Sequence, residues 1–109
     1  MKINSSNKKL MKECTNIKIA RKHYGEKIAL RLLKAINFIE SSSNLKALIN
    51  NRIYNFHKLS RDRKNQYAID IGSRRDGYRL ILEFDQDDVF VKAVEIDELT
   101  IKEMGNHYE

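Results

Sequence analysis

The sequence predicts an α+β fold in which an N-terminal helical hairpin packs on a largely antiparallel β-sheet. In the first half of the chain, apolar residues recur at helical spacing, and in the second half they recur at every second position. Helices followed by hairpin-linked strands, without regular strand-helix alternation, are typical of α+β proteins. We expect residues 1–109 to form a single domain, because chains of this length usually build one core.

The helical half begins at Asn16, whose side chain is suited to cap a short helix through residues 17–20. Gly25 then interrupts the pattern before a second and more regular run. Residues 41–44 end that run, and residues 45–49 predict one further helical turn. The apolar residues of the regular run share one helix face and are Ile28, Leu32, Ala35, Ile36 and Ile39.

The strand half is clearest in residues 67–71 and 78–84, where apolar and polar residues alternate as in half-buried strands. The linker 72–77 contains two glycines, a serine and an aspartate, which favours a hairpin turn. The alternation places Arg79 on the sheet face opposite Tyr78 and Leu80, which is the open face if the helices cover the other one.

Two flanking strands are predicted less directly. Apolar residues at 53, 56 and 59 suggest a strand before the hairpin, and those at 99, 101 and 104 suggest a closing strand. Residues 85–98 are open to two interpretations, since an acidic loop-like stretch is followed by an apolar run that would suit a strand. Residues 1–12 are polar and lysine-rich, and we expect a flexible or weakly ordered extension there.

Cysteine content and hydropathy predict a cytoplasmic protein. Cys14 is the only cysteine and cannot form an internal disulfide, and no apolar run approaches the roughly 18 residues that span a membrane. The N-terminal residues lack the apolar stretch of a signal peptide. We expect Cys14 to be a small buried residue and His23 a helix-surface residue. The three histidines have no spacing typical of a metal site, so no metal or cofactor is predicted.

The charge distribution is strongly asymmetric. Residues 1–79 hold 19 Lys or Arg against 6 Asp or Glu, whereas residues 80–109 hold 2 against 9. A cationic body suits polyanions such as RNA or DNA, because contacts to phosphate release counterions. The acidic C-terminal part disfavours a model in which the whole protein coats DNA or a membrane surface. The basic face must therefore be local.

Residues 56–67 form the densest cluster of functional side chains, with five cationic or potentially cationic residues between two aromatic ones. Arginine forks suit phosphates and aromatic rings suit unstacked bases, so the cluster favours RNA; an ordinary charged turn is the alternative. If Arg79 lies on the open face, Arg61, Arg63 and Lys64 would converge with it into a phosphate cradle. The predicted RNA-binding residues are Lys58, Arg61, Arg63, Lys64, Arg74 and Arg75.

The chain ends with His107 and Tyr108 immediately after the closing strand. Histidine is suited to proton transfer near neutral pH, and tyrosine can stack on a base or exchange a proton. Terminal residues also often fray without a function.

Residues 57–70, HKLSRDRKNQYAID, and 78–81, YRLI, resemble the RelE/ParE superfamily of bacterial toxins, and most closely its HigB-like branch. They match the family patterns H-x-L-x-x-D-R-x-x-Q and Y-R-L-I. Residues 20–25 are similar to the basic, glycine-terminated stretch that opens the helical hairpin of the family. The resemblance covers nearly the whole chain.

The resemblance implies a toxin that a cognate antitoxin, HigA-like and with a helix-turn-helix, holds inactive. The freed toxin would enter the ribosomal A site and cut mRNA without a metal, and it would reach operator DNA only through the antitoxin. By position, His57 matches a histidine of acid/base function, and Arg61, Arg63 and Arg79 match cationic residues that hold phosphate. The implied catalytic residues are His57, Arg79, His107 and Tyr108.

Three features depart from the family. The tail reads Asn106-His107-Tyr108 where HigB-like relatives commonly have Asp-Tyr-His, Ser60 replaces a frequent glycine, and the insertion before the last strand is shortened to residues 85–96. We expect His107 and His57 to share proton transfer, and Tyr108 to stack on or orient a base. The alternatives are a ParE-like gyrase inhibitor without nuclease activity and a non-toxic RNA-binding protein; the terminal His/Tyr pair and the basic cluster favour the nuclease.

Overall fold

A computed structural model describes residues 1–60 and 63–106. These residues form an α+β fold, as the sequence predicts. The helices are α1 (Lys8–Thr15), α2 (Ile17–Ser41) and α3 (Leu45–Asn50), and short 3-10 helices cover Arg52–Tyr54 and Ala93–Glu95. The strands are β1 (Lys2–Asn4), β2 (His57–Lys58), β3 (Gln66–Asp70), β4 (Arg79–Glu83) and β5 (Glu98–Gly105).

The five strands form one sheet in the order β1-β5-β4-β3-β2. The neighbours from β2 to β5 are antiparallel, and β1 joins β5 in parallel, so the sheet is mixed but largely antiparallel. The predicted hairpin is confirmed as β3 and β4, in which Asp70 lies opposite Arg79 and Gln66 lies opposite Glu83. The predicted closing strand is confirmed as β5.

The main core lies between the helices and one face of the sheet. All five apolar residues predicted to share a helix face are buried in α2, where they pack with Ile69, Leu80 and Leu82. Among the described residues, the buried apolar cluster on the other sheet face consists of Leu59, Ala68 and Ile81. Helices therefore cover one face and leave the other open, and the strand alternation places Arg79 on the open face together with Ile81.

The predicted helix cap at Asn16 and the predicted interruption at Gly25 are both confirmed. The side chain of Asn16 accepts hydrogen bonds from the backbone N–H groups of Lys18 and Ile19, at 3.0 and 3.3 Å, and so caps α2. Gly25 interrupts α2 with a φ of 84°, a left-handed backbone conformation that glycine adopts without a Cβ clash. The kink separates a first α2 segment from the segment that supplies most of the core.

The expectation of a weakly ordered extension at residues 1–12 is wrong. Residues 2–4 form β1 on the edge of β5, and the N-terminal ammonium of Met1 donates to the carbonyl of Ile39 at 3.0 Å. Asn7 caps α1 by accepting from the N–H of Leu10, whose side chain is buried. The local, lysine-rich composition does not reveal this order, because the strand that pairs with β1 lies more than ninety residues away along the chain.

The predicted strand before the hairpin is confirmed only as the two residues of β2, and its start at Ile53 is wrong. Residues 52–54 form a 3-10 helix capped by Asn51, and only His57 and Lys58 pair with β3. The three apolar residues that suggested the strand lie three positions apart, which is the spacing of a 3-10 turn rather than of a strand. Of residues 85–98, which the sequence left open, residues 85–97 form turns and a second 3-10 helix, and Glu98 begins β5.

Cys14 is buried in α1, as the sequence predicts. Burial, with a smaller contribution from the Glu13 carboxylate, raises the pKa of the thiol to about 12. Because the thiolate is the reactive form, we expect iodoacetamide at pH 8 to label folded protein far more slowly than protein unfolded in urea. Mass spectrometry checks the result, and equal labelling rates in the two states would contradict the packing of α1 on the core.

No helix in the described residues is both long and apolar enough to cross a bilayer.

Candidate functional site

The open face of the sheet carries a cleft of about 550 Å³ at one end of the β3-β4 hairpin. His57 lies opposite Ala68, and Asp70 lies opposite Arg79, so strand alternation brings His57, Asp70 and Arg79 onto the same face. The residues that line the cleft are Asn55, His57, Lys58, Leu59, Ser60, Arg74 and Arg79.

The backbone around Asn55 orients the imidazole of His57. Asn55 ends the 3-10 helix in the left-handed region, with a φ of 45°, which asparagine tolerates better than most residues. Its carbonyl oxygen lies 2.7 Å from Nδ1 of His57. Because a carbonyl only accepts hydrogen bonds, Nδ1 must carry the proton, and Nε2 is the acceptor nitrogen of the neutral ring. The contact prepares Nε2 to accept a proton.

Arg79 is held by a buried carboxylate. Its Nε lies 3.0 Å from Oδ1 of Asp70, with side chains that are 14% and 4% exposed. These two atoms form an ion pair outside the angular range of a hydrogen bond, and neither has a hydrogen bond within the described part of the chain. The other carboxylate oxygen of Asp70 accepts from the side-chain amide of Asn55 at 3.3 Å. One buried carboxylate therefore connects Arg79 with the residue that orients His57.

The turn between β3 and β4 places Arg74 at the edge of the cleft. The carboxylate of Asp76 accepts from the N–H of Ser73 at 3.0 Å and from its hydroxyl at 2.9 Å, and it pairs with Lys27 of α2. These contacts, the backbone N–H of Ser73 first, lower the pKa of Asp76 to about 2. The turn is thus fixed at neutral pH. Arg75 lies exposed in the same turn and does not line the cleft.

Lys58 lines the cleft while its ammonium binds the loop before β3. Nζ donates to the carbonyls of Arg63 and Gln66, at 3.0 and 3.4 Å, and lies 5.2 Å from the centre of the Tyr67 ring. Within the described residues, Nζ has no carboxylate partner. Because Lys58 lies opposite Tyr67 in the sheet, its ammonium is directed to the sheet face opposite His57 and Arg79.

Arg63 and Lys64, which the sequence predicts to converge with Arg79, do not line the cleft. Both precede Gln66, at the end of β3 opposite Asp70. The guanidinium of Arg63 pairs with Glu103, which lies opposite Ile81, and its Nε donates to the side chain of Gln66 at 3.0 Å. Alternation fixes the face on which a side chain lies, but not its position along the strand.

Three predicted site residues, Arg61, His107 and Tyr108, lie outside the described residues. The strand that leads to the tail ends beside the cleft, since Gly105 of β5 is opposite Arg79. The structure therefore brings together His57, Arg74 and Arg79 from the predicted set, and Lys58 lines the cleft with its ammonium directed to the other sheet face.

Two residues of the site were not singled out from the sequence, namely Asn55 and Asp70. The pairing of Asp70 could have been found by counting residue pairs outward from the hairpin turn. The pair next to the turn is Ile71 and Tyr78, where the N–H of Ile71 donates to the carbonyl of Tyr78 at 2.9 Å. The next pair is Asp70 and Arg79. An acidic residue in an otherwise apolar strand, opposite an arginine, indicates an ion pair. No comparable sequence pattern indicates the contact between the Asn55 carbonyl and His57.

A second polar cluster lies between α1 and α2, away from the cleft. The buried carboxylate of Glu13 accepts from the hydroxyl of Tyr24 at 2.6 Å and contacts Nδ1 of His23. Burial, followed by the hydrogen bond to Glu13, raises the pKa of Tyr24. His23 is partly exposed, as predicted, but it also takes part in this connection between the two helices.

Among residues 1–60 and 63–106, no three His, Cys, Asp or Glu side chains are placed so that they could hold a metal ion. No family model matches this chain, and no curated protein matches it. The chemistry of the cleft therefore has to be inferred from its own residues.

Proposed function

We propose that this protein is the toxin of a type II toxin-antitoxin system and cleaves mRNA on the ribosome. The observation that carries the proposal is His57, whose Nδ1 contacts the carbonyl of Asn55, in the same cleft as Arg74 and an anchored Arg79. The resemblance of residues 57–70 and 78–81 to the HigB-like branch supports the same chemistry. The protein acts in the cytoplasm, where its substrate is.

The reaction uses the 2′-hydroxyl of the RNA as its nucleophile. The 2′-oxygen attacks the adjacent phosphorus while the bond from phosphorus to the 5′-oxygen breaks, which leaves a 2′,3′-cyclic phosphate and a 5′-hydroxyl. Nε2 of His57 accepts the proton of the 2′-hydroxyl, since its ring is held in the tautomer that leaves this nitrogen unprotonated. The 5′-oxygen takes up a proton as it leaves.

The cationic side chains stabilise the charge that develops on the phosphate. Arg79 is held in place before the substrate arrives, and such preorganisation lowers the barrier because no reorientation is needed during the reaction. Asp70 balances the charge of Arg79, so Arg74 supplies the net positive charge that attracts the phosphate. His107 as proton donor and Tyr108 as base-stacking residue remain part of the proposal.

The test is induction of the chain in bacteria with sequencing of mRNA 5′ ends. We expect growth arrest and new 5′-hydroxyl ends within translated codons, and no new ends on messages whose translation initiation is blocked. Induction of the His57→Gln variant serves as the matched control. Growth arrest with intact mRNA and damaged DNA would support gyrase inhibition instead, and unchanged growth would support a non-toxic RNA-binding protein.

The proposal also includes an antitoxin with an acidic segment that covers the basic face, because charge complementarity guides such association. A small helix-turn-helix protein encoded next to this gene should restore growth when it is co-expressed.

A further inference from the structure

The cleft continues beyond Arg74 into two further cavities. A cavity of about 300 Å³ shares Asn55 and Arg74 with the cleft. A third cavity, of about 260 Å³, shares Ile53, Asp70 and Gly72 with the second and reaches α2. The three cavities therefore adjoin one another from the open sheet face, past the β3-β4 turn, to α2, and we refer to this row of cavities as the groove.

The far part of this groove is cationic. It adds Arg52 from the 3-10 helix and Arg31 and Lys34 from α2, and all three are exposed. None of the three pairs with a carboxylate in the described part of the chain. The carboxylate that borders the groove, Asp70, is 4% exposed and already paired with Arg79. The groove therefore has a surplus of positive charge that the cleft chemistry does not use.

An exposed apolar side chain lies among these cations. Ile53 is 65% exposed and lines both the second and the third cavity. Proteins that bind single-stranded nucleic acid combine a positively charged groove, which follows the backbone, with aromatic side chains on which the bases stack, and Ile53 offers an aliphatic surface at the corresponding place. Ile53 supplies the apolar contact, and Arg31, Lys34 and Arg52 supply the contacts to the backbone.

We propose that the groove formed by Arg31, Lys34, Arg52 and Ile53 binds the single-stranded RNA that continues out of the cleft. The cations contact successive phosphates, and Ile53 packs against a base or a ribose. This inference rests on the proposed function, because it takes RNA as the ligand of the cleft. It assigns RNA binding to one face of α2, where Arg31 and Lys34 are one helical turn apart.

The test measures binding of 2′-O-methyl oligoribonucleotides, which lack the nucleophile and cannot be cut, at lengths of about 4 and about 12 nucleotides. We expect wild-type protein to bind the longer strand more tightly. Arg31→Ala/Lys34→Ala should weaken binding of the longer strand about tenfold and lower the slope of log affinity against log salt by about 1.4, because two phosphate contacts are lost. Binding of the shorter strand should be unchanged.

Lys18→Ala/Lys22→Ala is the matched control, since it removes two exposed lysines from the same helix but outside the groove. It should leave both the affinity and the salt slope unchanged. Ile53→Ala should weaken binding of the longer strand without changing the slope, because it removes an apolar contact and no charge.

Three results would overturn the groove: an equal loss in the control variant, an equal loss for both strand lengths, or no preference of wild-type protein for the longer strand. The outcome is separable from that of the proposed function. Length-dependent binding through the groove without any mRNA cleavage would support RNA binding by the groove and contradict the proposed nuclease activity. Cleavage by the wild type, with unchanged RNA binding by the groove variants, would support the nuclease activity and contradict RNA binding by the groove.

Discussion

Replacing His57 with glutamine is expected to lower the rate of mRNA cleavage by about 10²–10⁴-fold, the usual contribution of a general base. The glutamine amide is still able to donate a hydrogen bond to the carbonyl of Asn55, but it cannot accept a proton at neutral pH. The loss should therefore appear in the single-turnover rate on ribosome-bound mRNA. The affinity for uncleavable RNA should change little.

His23→Gln is the matched control for this prediction. It makes the same chemical change at a histidine that contacts Glu13 between α1 and α2 and does not line the cleft. We expect its cleavage rate to equal that of the wild type. If His57→Gln cleaved RNA as fast as His23→Gln, His57 would not be the base, and proton transfer would have to be assigned to another group.

Replacing Asp70 with alanine is expected to lower the free energy of unfolding by about 3 kcal/mol, as is typical when one partner of a buried ion pair is removed. The Arg79 side chain, which is 14% exposed, would lose its counter-charge, and the side-chain amide of Asn55 would lose its acceptor. Urea denaturation followed by circular dichroism measures the change as a lower transition midpoint.

Two comparisons sharpen this result. Glu26→Ala removes a carboxylate from the exposed pair with Arg21, and we expect a cost below about 1 kcal/mol. Asp70→Leu/Arg79→Met replaces both buried charges with apolar side chains, so it should regain most of the stability while cleavage stays lost. A cost for Asp70→Ala as small as that for Glu26→Ala would show that the buried pair does not hold Arg79 in place.

The alternation of residues along the strands predicted one part of the cleft and not the others. Alternation along β4 correctly predicted that Arg79 lies on the open face, because the direction of a strand side chain depends only on its own position. It gave no information about Asp70 as the partner of Arg79 or about the distance to Arg63, because both depend on how two strands are aligned. The tautomer of His57 depends on the carbonyl of Asn55, and no sequence pattern indicated the left-handed backbone conformation of Asn55.

The amino-acid sequence was sufficient for the α+β class, the buried face of α2, the caps and kink around residues 16–25, and the β3-β4 hairpin. These features are local, since helical and strand periods and turn residues act within a few positions of the chain. The pairing of β1 with β5, the ion pair beneath the cleft and the groove to α2 came only from the tertiary structure. Each depends on contacts between segments that are distant in sequence, and their geometry follows from the packing of the whole chain.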